Sequence, residues 1–262
     1  MVMSLDLTGR RVLVTGGGQG VGHGIALGFA TAGAEVFVND LDPERARAVV
    51  EEIEAQGGVA HASVFDVTDF AAVDAAVDAI AEAGGPIDVL VNNAGNAGAA
   101  GFGGRDVFAE TGPADWEPFL QVNLYGALHC CRAVLPGMIA AGRGRLVTIV
   151  SDAGRTGDAG GAAYSAAKAG AAGLTRALAL ENGRHGITAN NISLGTMRTP
   201  ATEPVWADPS SDMAKSILRS YVVRRPGVPD EVASLAVYLA SDHASWITGQ
   251  TYPLNGGYSF AL

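Results

Sequence analysis

Short runs of apolar and β-branched residues recur along this chain, each followed by a segment long enough to form a helix. That alternation constrains the fold more than any other feature. Arg11-Val12-Leu13-Val14-Thr15, Ala34 to Val38, Val59 to Phe65, Ile87 to Val91, Arg145 to Val150 and Ile187 to Ile192 read as strands, with a shorter one near Gln250 to Leu254. Most are near-continuously apolar, as strands covered on both faces are. Between them the sequence predicts helices over about Gly20 to Ala32, Asp42 to the Gly57-Gly58 stop, Thr68 or Asp69 to Ala83, Ala114 to Ala140, Gly161 to Asn182 and Pro229 to Ala240. Asp42 followed by Pro43 is a helix start: an acceptor at the N-cap, then a residue with preset φ. Pro136 is expected to weaken the end of the long helix. The expected fold is one α/β domain over residues 1–262, a Rossmann-like doubly wound parallel sheet in three layers α/β/α. Thr196 to Pro226 is less regular, with prolines, Trp206 and a short predicted helix, and reads as a substrate loop at about 196–226.

Composition narrows the function classes. The chain has 262 residues, 48% of them apolar, enough for one large domain with a full core. Its formal net charge of −10 repels phosphate backbones, so no nucleic-acid partner is expected. The start, Met1 to Arg10, lacks the apolar core of a signal peptide, and apolar stretches are interrupted by charge. No membrane association and a cytoplasmic location are the expectations. The adjacent Cys130 and Cys131 point apart on a helix and read as reduced core residues. His23, His61, His129, His185 and His243 form no cluster with metal-ligand spacing, so no metal is expected.

Chemistry concentrates at predicted strand ends. Thr15-Gly16-Gly17-Gly18-Gln19-Gly20-Val21-Gly22 follows the first strand and opens a helix. Glycines there let backbone approach a pyrophosphate, whose charge the helix N-terminus attracts. Asp40 closes the second strand, where a carboxylate can bond adenosine ribose hydroxyls and repel a 2′-phosphate. Leu41 follows it, and no lysine or arginine lies in the glycine loop, so NAD is expected over NADP. Asp66, after the third strand, could meet an adenine amino group or cap the next turn. Asn92-Asn93-Ala94-Gly95 follows the fourth strand, Asn123 lies in the long helix, and Ser151 follows the fifth strand. Tyr164 comes thirteen residues after Ser151 and precedes Lys168 by four, which puts the phenol and the ammonium on one helical face. A nearby ammonium favours a phenolate, so a lowered Tyr164 pKa and general acid/base chemistry are expected.

The glycine loop, the Asp66 region, Asn-Asn-Ala-Gly, Asn123, Ser151, Tyr-x-x-x-Lys and the Gly249-Gln250 to Asn255-Gly256-Gly257 ending occur in the order found in short-chain dehydrogenases/reductases. The chain resembles that family from Leu7 to Gly257. The resemblance implies Tyr164 as the acid/base acting on a substrate oxygen, with Lys168 lowering its pKa and holding the nicotinamide ribose. It implies Ser151 as the group bonding the substrate carbonyl or hydroxyl, and Asn123 as support for a water in a proton relay. Gly16, Gln19, Gly20, Val21, Gly22, Asp40, Leu41, Asp66, Val67, Asn93, Ala94 and Gly95 would line the cofactor cleft with Tyr164 and Lys168. Met197 and Thr199 would grip the nicotinamide amide. Two departures stand out: Leu194-Gly195 replaces the family's Pro-Gly, and Asn255 replaces an aspartate.

The function so implied is interconversion of a secondary alcohol and its ketone by direct hydride transfer with NAD. The alternatives are a 3-oxoacyl-thioester reductase using NADPH and, in another class, a non-catalytic nucleotide-sensing protein. Substrate choice is expected from Asn96 to Asp106, Asp152 to Ala159 and Thr196 to Tyr221, the last carrying Trp206, Met213, Ile217 and Leu218 with Arg198 and Arg219 nearby. A homotetramer is the assembly that the resemblance implies.

Overall fold

A computed structural model of the chain describes residues 5–95 and 107–260. The expected substrate segment Asn96 to Asp106 lies outside the described residues. Strands β1 (Arg11–Val14), β2 (Glu35–Asp40), β3 (Val59–Val64), β4 (Val89–Asn92), β5 (Gly144–Ser151), β6 (Ile187–Leu194) and β7 (Thr251–Leu254) form one parallel sheet in the order β3-β2-β1-β4-β5-β6-β7. The order reverses between β1 and β4, and open α/β sheets bind ligands at the strand carboxyl ends beside such a reversal.

The helices are α1 (Gly20–Thr31), α2 (Pro43–Ala55), α3 (Phe70–Gly84), α4 (Pro113–Leu120), α5 (Gly126–Ala141), α6 (Ala153–Thr156), α7 (Ala162–Asn182), α8 (Glu203–Trp206), α9 (Asp212–Arg219) and α10 (Pro229–Ala240). They cover both faces. Val12 and Val14 of β1 pack with Ile25 and Phe29 of α1 and Val232 of α10. Leu13, between them, faces the other layer with Cys130, Val134 and Met138 of α5. Strand pleating sends alternate side chains to opposite faces, so one short strand anchors two cores. Fully burying one such side chain stabilises the fold by about 1.5–3 kcal/mol.

Local starts follow the expected chemistry. The Asp42 carboxylate accepts from the N–H groups of Glu44 (2.9 Å) and Arg45 (3.4 Å) ahead of α2, and Gly57 ends that segment at φ +82°. The long helix predicted from Ala114 to Ala140 is instead interrupted. A π-helical turn, Gln121–Tyr125, separates α4 from α5, and Asn123 sits within it. Such turns widen a helix and often mark functional positions. Counted through that turn, Pro113–Ala141 spans 29 residues and is long and apolar enough to cross a bilayer by length and composition. Its Ala127, Cys130, Cys131, Val134 and Met138 are buried against the sheet, so that face covers a core.

Candidate active site

The strand ends converge at one edge. After β1, the glycine loop turns tightly, with Gly16 at φ +60° and Gly20 at φ +57°. Thr15 Oγ1 accepts from the N–H groups of Asn93 (3.0 Å) and Ala94 (3.1 Å). Asn93 Nδ2 donates back to the carbonyls of Thr15 (2.9 Å) and Gly16 (3.0 Å). Asn39 Oδ1 accepts from Gly16 N–H at 3.3 Å, while its amide donates to the carbonyls of Ser63 and Phe65. The loop is therefore held by side chains from two neighbouring strand ends. Thr15 and Asn39 had no role assigned from the sequence; their position beside motif residues was the available signal.

The loop glycines pack so closely on their surroundings that side chains are excluded. A Cβ at Gly18 would stand 2.7 Å from both Asp40 Oδ2 and Arg45 Cβ, and one at Gly22 would overlap the Gly16 carbonyl. The N-cap of α1, Gln19, makes no side-chain cap, and no acidic residue occupies the first turn. Those free N–H groups suit a pyrophosphate. Asp40 ends β2 in a buried position, and its Oδ2 accepts from Gly18 N–H at 3.1 Å. Leu41, beside it, is exposed. The residues present thus fit a dinucleotide.

One neighbour lies just outside the residues that the reading of this end considered. Arg45, in the first turn of α2, lies against Gly18 and pairs with Asp42 at 3.4 Å. The expectation of a cation-free ribose site considered only the glycine loop and Leu41; the helix that follows β2 sets the Cβ of Arg45 beside Gly18 and its guanidinium on Asp42. Asp66 meets the second of its two expected roles: Oδ1 accepts from both N and Oγ1 of Thr68 at 2.8 Å. Val67 is buried against Gly126.

At the other end, Tyr164 and Lys168 occupy the start of α7. Ser151 hydrogen-bonds the Tyr164 hydroxyl. The Phe119 ring meets Tyr164 edge-on at 6.2 Å between centroids. Lys168 is buried, lies 5.9 Å from the Tyr164 ring centroid, and donates to the carbonyl of Ile149 at 3.0 Å. Asn123 Nδ2 donates to the Phe119 carbonyl at 2.9 Å. Its Oδ1 and the Lys168 ammonium both approach Gly95, where a Cβ would lie 2.9 Å and 3.1 Å from them. The sequence-predicted Asn123 and Lys168 thus meet at Gly95, and Lys168 lies beside the Tyr164 that Ser151 bonds.

The expected effect of the lysine on the phenol is not what the protein alone produces. Burial pushes the Tyr164 pKa up; the Ser151 hydrogen bond opposes this, and the Asp158 charge adds to it. Burial also pulls Lys168 down to about 8. Desolvation disfavours both charged forms, and sequence spacing carries no information about desolvation.

The loop after β6 closes over the glycine loop. Thr199 stands 3.6 Å from where a Gly20 Cβ would be. The Met197 carbonyl accepts from Thr202 Oγ1 at 2.7 Å, and Thr202 Oγ1 accepts from Thr199 N–H at 2.9 Å. The 196–226 segment carries two short helices, α8 and α9, where one was expected. Trp206 is buried in α8, while Met213 of α9 is exposed. Among the described residues no group of acidic, histidine or cysteine side chains could hold a metal.

Comparison with known proteins bears on the family and the fold. A family profile described as enoyl-(acyl carrier protein) reductase matches residues 16–259. The chain is 38% identical to the (2S)-[(R)-hydroxy(phenyl)methyl]succinyl-CoA dehydrogenase subunit BbsD of Thauera aromatica, over 97% of this chain and 98% of that protein. It is 37% identical to D-threitol dehydrogenase of Mycolicibacterium smegmatis, over 97% of this chain and 94% of that protein. Among solved structures, a gluconate 5-dehydrogenase from Burkholderia cenocepacia J2315 in complex with NADP and tartrate superposes with a TM-score of 0.90 at 33% identity, covering 99% of this chain and 98% of that one.

Proposed function

Because the chain belongs to the short-chain dehydrogenase/reductase family, we propose that it interconverts a secondary alcohol and its ketone with NAD. At the coarser level it is an oxidoreductase that uses a nicotinamide cofactor on a small hydroxylated molecule. The observation that carries the finer reading is the chain of contacts Ser151–Tyr164, Tyr164–Lys168 and Lys168 with Asn123 at Gly95, at the same sheet edge as the glycine loop.

The bound nicotinamide supplies the hydride chemistry, and the protein positions and polarises. Tyr164 takes the hydroxyl proton during oxidation and returns it during reduction. Ser151 holds the substrate oxygen against the phenol. Lys168, fixed by the Ile149 carbonyl, keeps a positive charge below its lowered pKa and stabilises phenolate character. Asn123, set by the π-helical turn, extends this polar line away from the substrate.

The choice of NAD rests on Asp40, whose carboxylate would meet the ribose hydroxyls and repel a 2′-phosphate. Arg45, at the start of α2, would attract a 2′-phosphate if its guanidinium left Asp42, and a solved neighbour holds NADP. Titration with NADH and NADPH tests the balance. Wild type should favour NADH, Asp40→Ala should erase most of the preference, and Arg45→Ala should weaken NADPH alone. A wild-type preference for NADPH would overturn the NAD reading. Turnover is then sought by NAD reduction over a panel of secondary alcohols. A CoA-thioester substrate is the second reading, favoured by the relative whose name specifies one. A homotetramer in the cytoplasm completes the proposal. Leu180 on α7 and Trp246 are 89% and 98% exposed, which suits an assembly that covers them, and light scattering reads the mass. The two buried unpaired thiols suit a reducing compartment.

A further inference from the structure

The substrate segment enters and leaves the body of the protein through one neck. Gly227 N–H donates to the Thr196 carbonyl at 3.1 Å, and Arg198 N–H donates to the Gly227 carbonyl at 2.8 Å. Met197 and Gly227 form a parallel bridge between them. Tyr221, two residues beyond the end of α9, spans this neck. Its hydroxyl accepts from Thr196 N–H at 2.8 Å and donates to Thr196 Oγ1 at 2.8 Å.

The ring is held as firmly as the hydroxyl. Tyr221 is buried. A Cβ on Gly195 would stand 2.9 Å from Tyr221 Cε1, and one on Gly256 would stand 3.2 Å from Cδ1, so the ring lies flush against two backbones that only glycine leaves open. Tyr258 packs beside it, with ring centroids 5.4 Å apart. Leu194-Gly195 contains no proline to preset the turn leading into Thr196. The restraint comes from outside the turn, through a phenol that satisfies both a backbone donor and a side-chain acceptor of one residue.

From Thr196 the chain runs directly to Thr199, which stands against Gly20. The adenosine side of the cleft, formed by Gly18 and Asp40, makes no hydrogen bond to Tyr221 among the described residues. We propose that Tyr221 is a positioning residue: it sets Thr196 to Thr199 over the glycine loop and ties that setting to the substrate segment through α9. This rests on the dinucleotide reading above. It separates two parts of cofactor affinity, one that Tyr221 controls and one that it does not.

The test titrates the full-length protein with ADP and with NADH or NADPH, whichever wild type binds. Tyr221→Phe should weaken the dinucleotide about tenfold, the size expected when two hydrogen bonds to one residue are lost. ADP, which lacks the nicotinamide half, should bind as to wild type. Amide exchange across 196–202 should quicken in the ligand-free variant. Thr196→Val removes only the hydroxyl acceptor and should weaken the dinucleotide about threefold; Thr196→Ser should behave as wild type. The double variant Tyr221→Phe/Thr196→Val should be no worse than Tyr221→Phe. Equal weakening of ADP and dinucleotide would mean general loss of structure and would overturn the proposal. So would unchanged dinucleotide affinity and amide exchange in Tyr221→Phe. If that variant does not fold, unchanged affinity in Thr196→Val overturns it by itself. Wild type that binds neither dinucleotide would overturn the functional reading first, and this inference with it.

Discussion

The side-chain amide of Asn255 donates to Oδ2 of Asp152 at 2.6 Å, joining the turn after β7 to the residue that follows Ser151. Both residues are buried. Asp152 Oδ1 accepts from Arg155 at 3.0 Å and from Ser193 at 2.8 Å, so donors meet both carboxylate oxygens. Arg155 also donates to Ser259 Oγ and to the carbonyl of Phe260, which extends the tie to the end of the described chain. The asparagine that departs from the family pattern is thus the complement of a buried aspartate.

Asn255→Asp would set two buried carboxylates against each other and should destabilise the fold by about 3 kcal/mol. One carboxyl would then be held protonated, with a folded pKa above its unfolded value. The native state would bind the extra proton, so the deficit should deepen as pH rises from about 5 to about 8. Thermal melts at both pH values read this directly. The exchanged pair Asp152→Asn/Asn255→Asp should recover most of the loss, and a deficit independent of pH would rule out an electrostatic origin.

Tyr164→Phe deletes only the hydroxyl that Ser151 meets. Turnover of any substrate found should fall about a thousandfold, within the range for loss of a general acid/base. Dinucleotide affinity should stay within about twofold, because the glycine-loop side is untouched. Steady-state kinetics and a binding titration separate the two, and retained turnover would remove Tyr164 from its assigned role.

Lys168 has an ordinary pKa of 10.5 that burial pulls down to about 8. Below the folded value the protein carries the whole cost of a buried charge, and above the unfolded value it carries none. That cost is about 3 kcal/mol. Stability should therefore rise with pH across this window as far as Lys168 contributes. Lys168→Met should melt higher than wild type near neutrality, by about 2 kcal/mol after loss of the bond to the Ile149 carbonyl. The advantage should vanish toward the upper end of the window, and activity should be lost. Melting curves that differ equally at every pH would show that the lysine charge is not the cause.

Gly95→Ala tests how tightly the polar groups converge. The new Cβ would lie 2.9 Å from Asn123 Oδ1 and 3.1 Å from the Lys168 ammonium, closer than ordinary contact. Overpacking of this kind costs about 1–3 kcal/mol. Turnover should fall more than ADP affinity does, since the displaced groups belong to the chemical end. A parallel loss of both would place Gly95 in the general scaffold instead.

Much of the fold was legible because its signals are local. Apolar runs and helix starts such as Asp42-Pro43 depend on adjacent residues, and they fall where the elements form. The apolar run of the second strand stops at Val38, yet the strand closes at Asp40 as expected, although asparagine and aspartate are poor strand formers. Asn39 is accommodated there by the carbonyls of Ser63 and Phe65, partners on another strand. The break between α4 and α5 was hidden: the apolar pattern continues through the π-helical turn at Asn123.

The sequence by itself determined the doubly wound α/β layout, the glycine loop after β1 and the placing of Tyr164 and Lys168 on one helical face. Each follows from spacing along a single element. Only the tertiary structure decided that Arg45 returns to Gly18, that Tyr221 locks Thr196 and that Asn255 completes Asp152. It also decided that burial raises the phenol's pKa and lowers the lysine's. Those outcomes depend on which elements pack together and how much water they exclude, and neither quantity is a property of neighbouring residues in the chain.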